Sequence, residues 1–175
     1  SLRYLKTPEN SYLRCRKRYN NSDLPANARK DNLWRRKFIT TLTLWSGGYK
    51  DPFVIPNDDL WCAIRVIWRA VYHDTAAQTA ALGPAVLSVS KQRLSEWRAG
   101  FGSAAVAMLS NLFAEEKVAD EEDRREFAEA LLNDNYFLYE HPEAKTGRGL
   151  FRSPFILQVF ACHWVAVRDH VDVHS

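Results

Sequence analysis

Apolar residues recur at helical spacing in several stretches of the chain. The first stretch places Trp34, Phe38, Leu42 and Trp45 at intervals of four, four and three residues, which puts their side chains on one helix face. A glycine pair at 47–48 follows directly, and glycines in such a position favour the end of a helix. The pattern therefore predicts a first helix that begins near residue 31 and ends at these glycines.

A second apolar stripe follows a turn that contains two prolines. Asn57 or Asp58 suits the N-cap of this helix, because its side chain can accept a hydrogen bond from a free backbone N–H group. Arg65 and Arg69 fall on the opposite face, one turn apart. The stripe that we expect to be buried consists of Leu60, Ile64, Ile67 and Val71.

The longest helix is predicted to run from Ser88 or Ser90 to about Glu116. It carries Gly100 and Gly102 in its middle, and a glycine inside a helix costs about 1 kcal/mol relative to alanine. We expect another helix backbone to approach these two small residues closely and so to compensate the cost. A local kink is the alternative explanation.

The last two helices have clear start signals. Four acids at 120–123 open the fourth helix, where negative charge favours the positive end of the helix dipole. Ser153 suits the N-cap of the last helix and Pro154 its first position. Residues 155–167 are apolar on almost every side, so we expect this helix to be the central one.

Together these patterns predict an all-α fold, a single-domain bundle of about five to six helices around the apolar C-terminal helix. Residues 31–170 form the predicted helical domain. Residues 1–30 contain turn-forming residues without a sustained period, so we interpret them as a basic, partly irregular N-terminal arm. No stretch shows the alternation that a half-buried strand requires.

Composition agrees with a globular protein. The chain has 175 residues, 46% of them hydrophobic and 26% charged, which suffices for one domain with a sizeable core and excludes a disordered chain. No apolar stretch reaches the roughly 20 residues that a membrane-spanning helix needs. The three cysteines are odd in number and far apart, so we expect an intracellular protein, cytoplasmic or nuclear.

The net charge of +3 conceals an uneven distribution. Residues 1–50 contain 12 lysines and arginines against three acids, whereas residues 51–175 contain 12 against 18. Cations of the first part, and of the loop before the last helix, can bind phosphates or other anions. Alternatively, they neutralise the acidic run near residues 115–123 of the same or a neighbouring molecule. The candidate anion-binding or nucleic-acid-binding residues are Arg14, Arg16, Lys17, Arg18, Arg35, Arg36, Lys145, Arg148 and Arg152.

Three histidines give the alternative chemistry. His163, His170 and His174 would share one face if the last helix continued to the end of the sequence. Two imidazoles one turn apart can bind zinc, but no HExxH motif and no cysteine cluster accompanies them. We therefore predict no metal site, no cofactor and no catalytic residue. An enzyme or metal-binding protein that uses these histidines remains the alternative function.

Three motifs carry a resemblance to a known family. They are LWRRKFI at 33–39, QRLSEWRAGFGSAA at 92–105 and FRSPFILQ at 151–158. Residues 24–166 resemble an uncharacterised helical domain family from fungal proteins, expanded in mushroom-forming lineages. The resemblance implies an intracellular helical module. It implies no activity, substrate or catalytic residue, because none is established for the family.

The function predicted from the sequence is that of a non-enzymatic helical binding module. It recognises a protein partner or nucleic acid through the basic arm and the loop before the last helix, and the sequence does not decide between the two. A homo-oligomer is compatible with the same surfaces, and we expect no contact with a membrane.

Overall fold

The structure, a computed structural model, describes residues 18–73, 79, 82–115, 120–141 and 148–173. Within these ranges the α-helices are α1 (Ile39–Gly47), α2 (Asn57–Tyr72), α3 (Pro84–Glu115), α4 (Glu121–Leu132) and α5 (Pro154–Val167). The strands β1 (Tyr139–His141) and β2 (Arg148–Leu150) pair antiparallel, with Tyr139 opposite Leu150 and His141 opposite Arg148. The predicted class, a mostly helical single domain, is confirmed. The small sheet was not predicted.

The hydrophobic core lies among the N-terminal segment, α1, α2 and the first turns of α3. Phe38 is 0% exposed. Its ring stacks on Trp34 with 4.6 Å between the centroids and meets the ring of Trp68 edge-on at 5.5 Å. Both stripes predicted from helical spacing are confirmed as core residues, apart from the half-buried Trp45. The predicted cap of α2 is wrong, because Pro56 occupies the N-cap and offers no side-chain hydrogen bond.

Residues 18–38 fold onto the body of the domain. Two 3₁₀ turns, Asn21–Asp23 and Ala26–Asn32, bring Leu24 and Ala28 into the core. A single π-helical turn, Trp34–Phe38, then leads directly into α1. The structure therefore describes the predicted arm only from residue 18 onward, and that part packs against the core.

The third helix differs from the prediction at two points. It begins at Pro84, about one turn before the predicted start, which agrees with the preference of proline for the first turn. It then runs unbroken through Gly100 and Gly102. Among the described residues, no atom comes within 4 Å of a Cβ built at either glycine. The predicted close approach of a second helix is therefore wrong.

The predicted starts of the last two helices are confirmed. The Asp120 side chain accepts a hydrogen bond from the backbone N–H of Asp123 at 2.8 Å. The buried Ser153 hydroxyl accepts from the N–H of Ile156 at 3.2 Å, and it also donates to the carbonyl of Phe137. Ser153 thus ties the start of α5 to the 3₁₀ turn Asn133–Leu138 that follows α4.

Helix α5 packs against α3 and α1, but Val167 is its one buried residue and the hydrophobic core lies elsewhere, so the prediction that α5 is the central helix is wrong. Phe160 is 61% exposed and Trp164 is 71% exposed. Helix α5 is therefore apolar on almost every side, but it is not buried on every side. No helix of the described residues is both long enough and apolar enough to cross a membrane.

Candidate anion-binding cleft

A cleft of about 760 Å³ lies between the N-terminal segment, α1, α3 and the C-terminal end of α5. Four arginines and two acids are among its described lining residues, so the formal charge of the lining is positive. We call it the basic cleft. Its volume is in the range of sites that hold a small ligand, roughly 300–1,000 Å³. The side chains on which its chemistry depends are Trp34, Arg35, Arg36, Arg93, Trp97 and Arg168.

Local backbone geometry places two arginines at this cleft. Asp31 and Asn32 have φ angles of 51° and 55°, in the left-handed region that Asp and Asn tolerate better than most residues. The π-helical turn follows at once, and such turns occur often at functional sites. Trp34 and Phe38 of this turn point into the core, whereas Arg35 and Arg36 are exposed. The turn therefore places two consecutive arginines at the cleft, beside residues that are anchored in the core.

Three lining residues carry buried N–H groups without an acceptor. They are Nε1 of Trp34, Nε of Arg93 and Nε1 of Trp97, and none of them makes a hydrogen bond within the described part of the chain. Trp34 is only 5% exposed. A buried donor without an acceptor costs about 1–3 kcal/mol, so each of these groups lowers the stability of the fold.

The charge of Arg93 is partly compensated within α3. Its Nη1 lies 2.6 Å from Oε2 of Glu96, one turn along the helix. The Nε–H group of Arg93 remains without a partner among the described residues. Among the acids of the lining, Asp169 is then the remaining source of negative charge.

The fourth arginine comes from the end of α5. Val167 is buried and fixes this end, and the exposed Arg168 follows it at the cleft. Beyond it, the backbone N–H of Val171 donates to Oγ1 of Thr41 on α1 at 2.9 Å. The C-terminal segment is thus tied to the helix that continues from Arg35 and Arg36.

The structure brings some of the predicted cations together and not others. Arg35 and Arg36 line the basic cleft. Arg18, Arg148 and Arg152 are exposed and lie outside its lining. The remaining predicted residues lie outside the described part of the chain: Arg14, Arg16, Lys17 and Lys145.

Sequence reasoning missed Arg93, Trp97 and Arg168. Arg93 and Trp97 are four residues apart on the long helix, and this spacing places a cation and an indole on one face. That signal was available, whereas Arg168 had none, because it joins the site only through the packing of α5 against α1 and α3.

Comparison with protein families gives one match. The model of a family described as a domain of unknown function, DUF6532, matches residues 39–174, which is well over half of the chain. The chain belongs to the DUF6532 family. No curated protein and no solved structure matches it. The resemblance to an uncharacterised domain family is thereby confirmed in its general form, with a range that begins later and ends later than predicted.

The basic cleft joins the DUF6532 domain to the segment before it. Arg93, Trp97 and Arg168 fall inside the matched range, whereas Trp34, Arg35 and Arg36 precede it. The site therefore needs both the family domain and the π-helical turn at its N-terminal side.

His163 and His170, the described members of the predicted histidine set, have different surroundings. The ring of His163 lies 5.5 Å from the ring of Trp97, between centroids, and burial lowers its pKa. His170 lies beyond α5, with Nδ1 3.0 Å from the carbonyl oxygen of Val167 and Nε2 3.5 Å from Oδ1 of Asp172. His174 is outside the described residues. Among those described, no three His, Cys, Asp or Glu side chains are grouped to hold a metal ion.

Proposed function

We propose that this DUF6532 domain is a non-enzymatic binding module that recognises a nucleic acid strand through the basic cleft. The observation that carries the proposal is the arrangement of Arg35 and Arg36, which are adjacent and exposed at a cleft that Arg93 and Arg168 also line. Guanidinium groups bind phosphates through two parallel hydrogen bonds, and they account for much of the affinity of proteins for nucleic acids.

Further exposed cations lie along the same N-terminal segment. Arg18, Arg29 and Lys30 are exposed, and the 3₁₀ turn that carries Arg29 and Lys30 leads into the π-helical turn. A strand that leaves the cleft can therefore meet additional positive charge. The proposal includes an intracellular location, in the cytoplasm or nucleus of a fungus, which the sequence resemblance supports.

The test is the binding of the full chain to a short oligouridylate and to duplex DNA, measured by fluorescence anisotropy over a series of salt concentrations. We expect the logarithm of the binding constant for the single strand to decrease linearly with the logarithm of the salt concentration. The magnitude of this slope should decrease by about 0.7 for each phosphate contact removed. The Arg35→Ala/Arg36→Ala double variant should therefore lose about 1.4 from the slope and bind at least about tenfold more weakly.

The matched control is the Arg65→Ala/Arg69→Ala double variant, which removes the same charge from the exposed face of α2. Its affinity and its slope should equal those of the unmodified chain, apart from the effect that the loss of any two positive charges has. Equal losses in the two double variants, or no salt-dependent binding by the unmodified chain, would contradict the proposal.

A second candidate function is self-association through the exposed face of α5. This face presents Leu157, Phe160, Trp164 and Val165, all more than half exposed and uncharged, so two copies can meet across a two-fold axis without like-charge repulsion. The four exposed side chains offer about 500 Å² per copy. The total of about 1,000 Å² is at the lower limit of a specific interface, so we expect a weak dimer.

Light scattering after size exclusion, over a range of protein concentrations, tests this second candidate. The unmodified chain should gain mass as its concentration rises, and the Phe160→Ser/Trp164→Ser variant should stay monomeric. Val106→Ser removes an equally exposed apolar residue from α3 and serves as the control. A monomer at every concentration would contradict self-association and leave the nucleic acid proposal unaffected.

A further inference from the structure

A cavity at the junction of α3, α5 and the loop between α1 and α2 is lined mainly by aromatic rings. Its volume is about 390 Å³. Five of its seven described lining residues carry an aromatic ring, and the other two are Gly47 and Pro52. We call it the aromatic pocket. Its rings belong to Phe53, Trp97, Phe101, Phe160 and His163.

The three half-buried rings of this pocket contact one another. They belong to Trp97, Phe101 and His163. The ring centroid of Trp97 lies 5.4 Å from that of Phe101 and 5.5 Å from that of His163. The planes of the Trp97 and Phe101 rings are inclined by 68°, so this side of the pocket is a corner of rings rather than a flat stack.

Two exposed phenylalanines complete the lining. Phe53 of the loop is 62% exposed and Phe160 of α5 is 61% exposed. The loop is tied to α3, because Nε of Arg98 donates to the carbonyl oxygen of Pro52 at 2.7 Å. Within the loop, Oδ1 of Asp51 accepts a hydrogen bond from the N–H of Phe53 at 2.9 Å. Phe53 is therefore held beside α3, while most of its surface stays open to a ligand.

The charges around the pocket suit a cation. Burial lowers the pKa of His163, so this ring is neutral near neutral pH, and none of the other described lining residues carries a formal charge. Burial also lowers the pKa of Arg98, whose positive charge the nearby Asp51 carboxylate offsets. The face of an aromatic ring is negative and attracts a cation.

The same lining favours a methylated cation over a simple ammonium group. An ammonium group carries three N–H donors and is strongly hydrated. Among the described lining residues no carboxylate is present to accept its hydrogen bonds, so it would lose more on leaving water than it gains. A trimethylammonium group has no N–H donor to leave unpaired.

The apolar cavity between α3, α4 and α5 offers a comparison. It has the same volume of about 390 Å³, but only four of its twelve described lining residues carry a ring. The aromatic pocket therefore differs from it in the share of rings and not in size. Clusters of aromatic rings are the typical binding sites of quaternary ammonium groups.

We propose that the aromatic pocket binds the trimethylammonium group of a small soluble ligand of about the size of choline. Its volume of about 390 Å³ is near the lower end of the range for small-ligand sites, roughly 300–1,000 Å³, which favours a small molecule over a segment of a protein. The inference does not rest on the proposed nucleic acid function, because the pocket and the basic cleft share only Trp97 among their described lining residues.

The test follows the proton NMR signal of the choline methyl groups as the full chain is added. We expect saturable binding and an upfield shift, because ring currents shield protons that lie over aromatic rings. Two further probes separate charge from shape: ethanolamine, and the neutral carbon analogue of choline with a tert-butyl group in place of trimethylammonium. Choline should bind at least about tenfold more tightly than either. The chain is kept dilute, because Phe160 also belongs to the face proposed for self-association.

The variant Phe53→Leu removes an exposed ring and keeps an apolar side chain. It should weaken choline binding about threefold to fivefold and leave the neutral analogue almost unaffected, whereas Phe53→Tyr should bind choline as the unmodified chain does. Phe151→Leu is the matched control, because this ring is 56% exposed and is not among the lining residues. If Phe53→Leu fails to fold, Phe160→Leu removes the other exposed ring of the pocket.

The outcomes also separate this inference from the proposed function. Equal binding of choline and its neutral analogue, or equal losses for both in Phe53→Leu, overturns the cation site. Choline binding that neither Phe53→Leu nor Phe160→Leu weakens overturns its assignment to this pocket. A trimethyl-lysine peptide that binds more tightly than choline overturns the choice of a small ligand. None of these results changes the expected binding of oligouridylate by the basic cleft.

Discussion

Two parts of this domain contain similar helices but bury their apolar residues to different degrees. We call residues 18–73 and 82–94 the packed part, and residues 95–115, 120–141 and 148–166 the open part. The packed part holds the buried hydrophobic residues from Leu24 to Leu94. Within the open part as described, Ser153 is the one residue that is buried, and it is polar. Apolar composition alone therefore does not determine where a core forms.

The two parts also differ in how closely their helices pack. In the packed part, Trp34, Phe38, Trp68 and Tyr72 contact one another with ring centroids 4.2–6.4 Å apart. In the open part, α3, α4 and α5 surround an apolar cavity of about 390 Å³ instead of closing on one another. The packed part provides the rigid base of the basic cleft, whereas the open part leaves apolar surface exposed.

The largest expected effect tests the packed part at Phe38. Replacing this fully buried ring in Phe38→Ala should lower the free energy of unfolding by about 3–5 kcal/mol, because it leaves a cavity among three other aromatic rings. Phe160→Ala removes the same atoms from the exposed face of α5 and should cost less than about 1 kcal/mol. Urea unfolding followed by circular dichroism measures both.

Similar costs for the two substitutions would contradict this comparison. A large cost at Phe160 that falls as the protein is diluted would instead show that a second copy covers α5, in agreement with the self-association proposal. Measuring both variants at two protein concentrations separates these outcomes.

The sequence predicted one part of the fold better than the other for a physical reason. Helical spacing identified the stripes through Phe38 and Ile64, and capping chemistry identified the start of α5 at Ser153, because these signals are local. Spacing does not tell whether a neighbouring helix covers a given face. It therefore failed to predict the exposure of Trp164 and the open surroundings of Gly100.

The candidate site follows the same rule. Arg35 and Arg36 were found as part of a local cluster of cations. Arg168 joins them only after α5 has packed against α1 and α3. Contacts between distant segments of the chain are the part of the site that spacing and composition do not contain.

An intermediate effect, opposite in sign, tests the open part at its glycines. Gly100→Ala and Gly102→Ala should each raise the free energy of unfolding by about 0.5–1 kcal/mol, because alanine restricts the unfolded chain and the described structure leaves room for its methyl group. Thermal unfolding of each variant measures the change.

The contrasting variant is Gly149→Ala in β2. Gly149 has a φ of +74°, and a Cβ there would lie 2.6 Å from the Cβ of Glu140, so alanine should destabilise the domain. Destabilisation by Gly100→Ala instead would mean that a close contact forms at α3 after all, for example with a partner or a second copy.

The smallest expected effect lies at the boundary between the two parts, at His163. Its ring contacts Trp97 and Phe101 and lies against Gly47, and burial lowers its pKa below the ordinary value of 6.5. The unfolded chain therefore takes up a proton at a higher pH than the folded chain does. Stability is fully present above that ordinary value and falls as the pH drops toward the lower pKa of the folded state.

Urea unfolding at about pH 7.5 and about pH 5 measures this dependence. His163→Gln should show a smaller loss of stability between the two pH values than the unmodified chain. His73→Asn replaces an exposed histidine at the C-cap of α2, where asparagine tolerates the φ of 55°, and it should keep the full loss. If His163→Gln loses as much stability between the two pH values as the unmodified chain, the ring is as well hydrated in the folded chain as in the unfolded one. The boundary at α1 and α3 would then be as open as the outer face of α5.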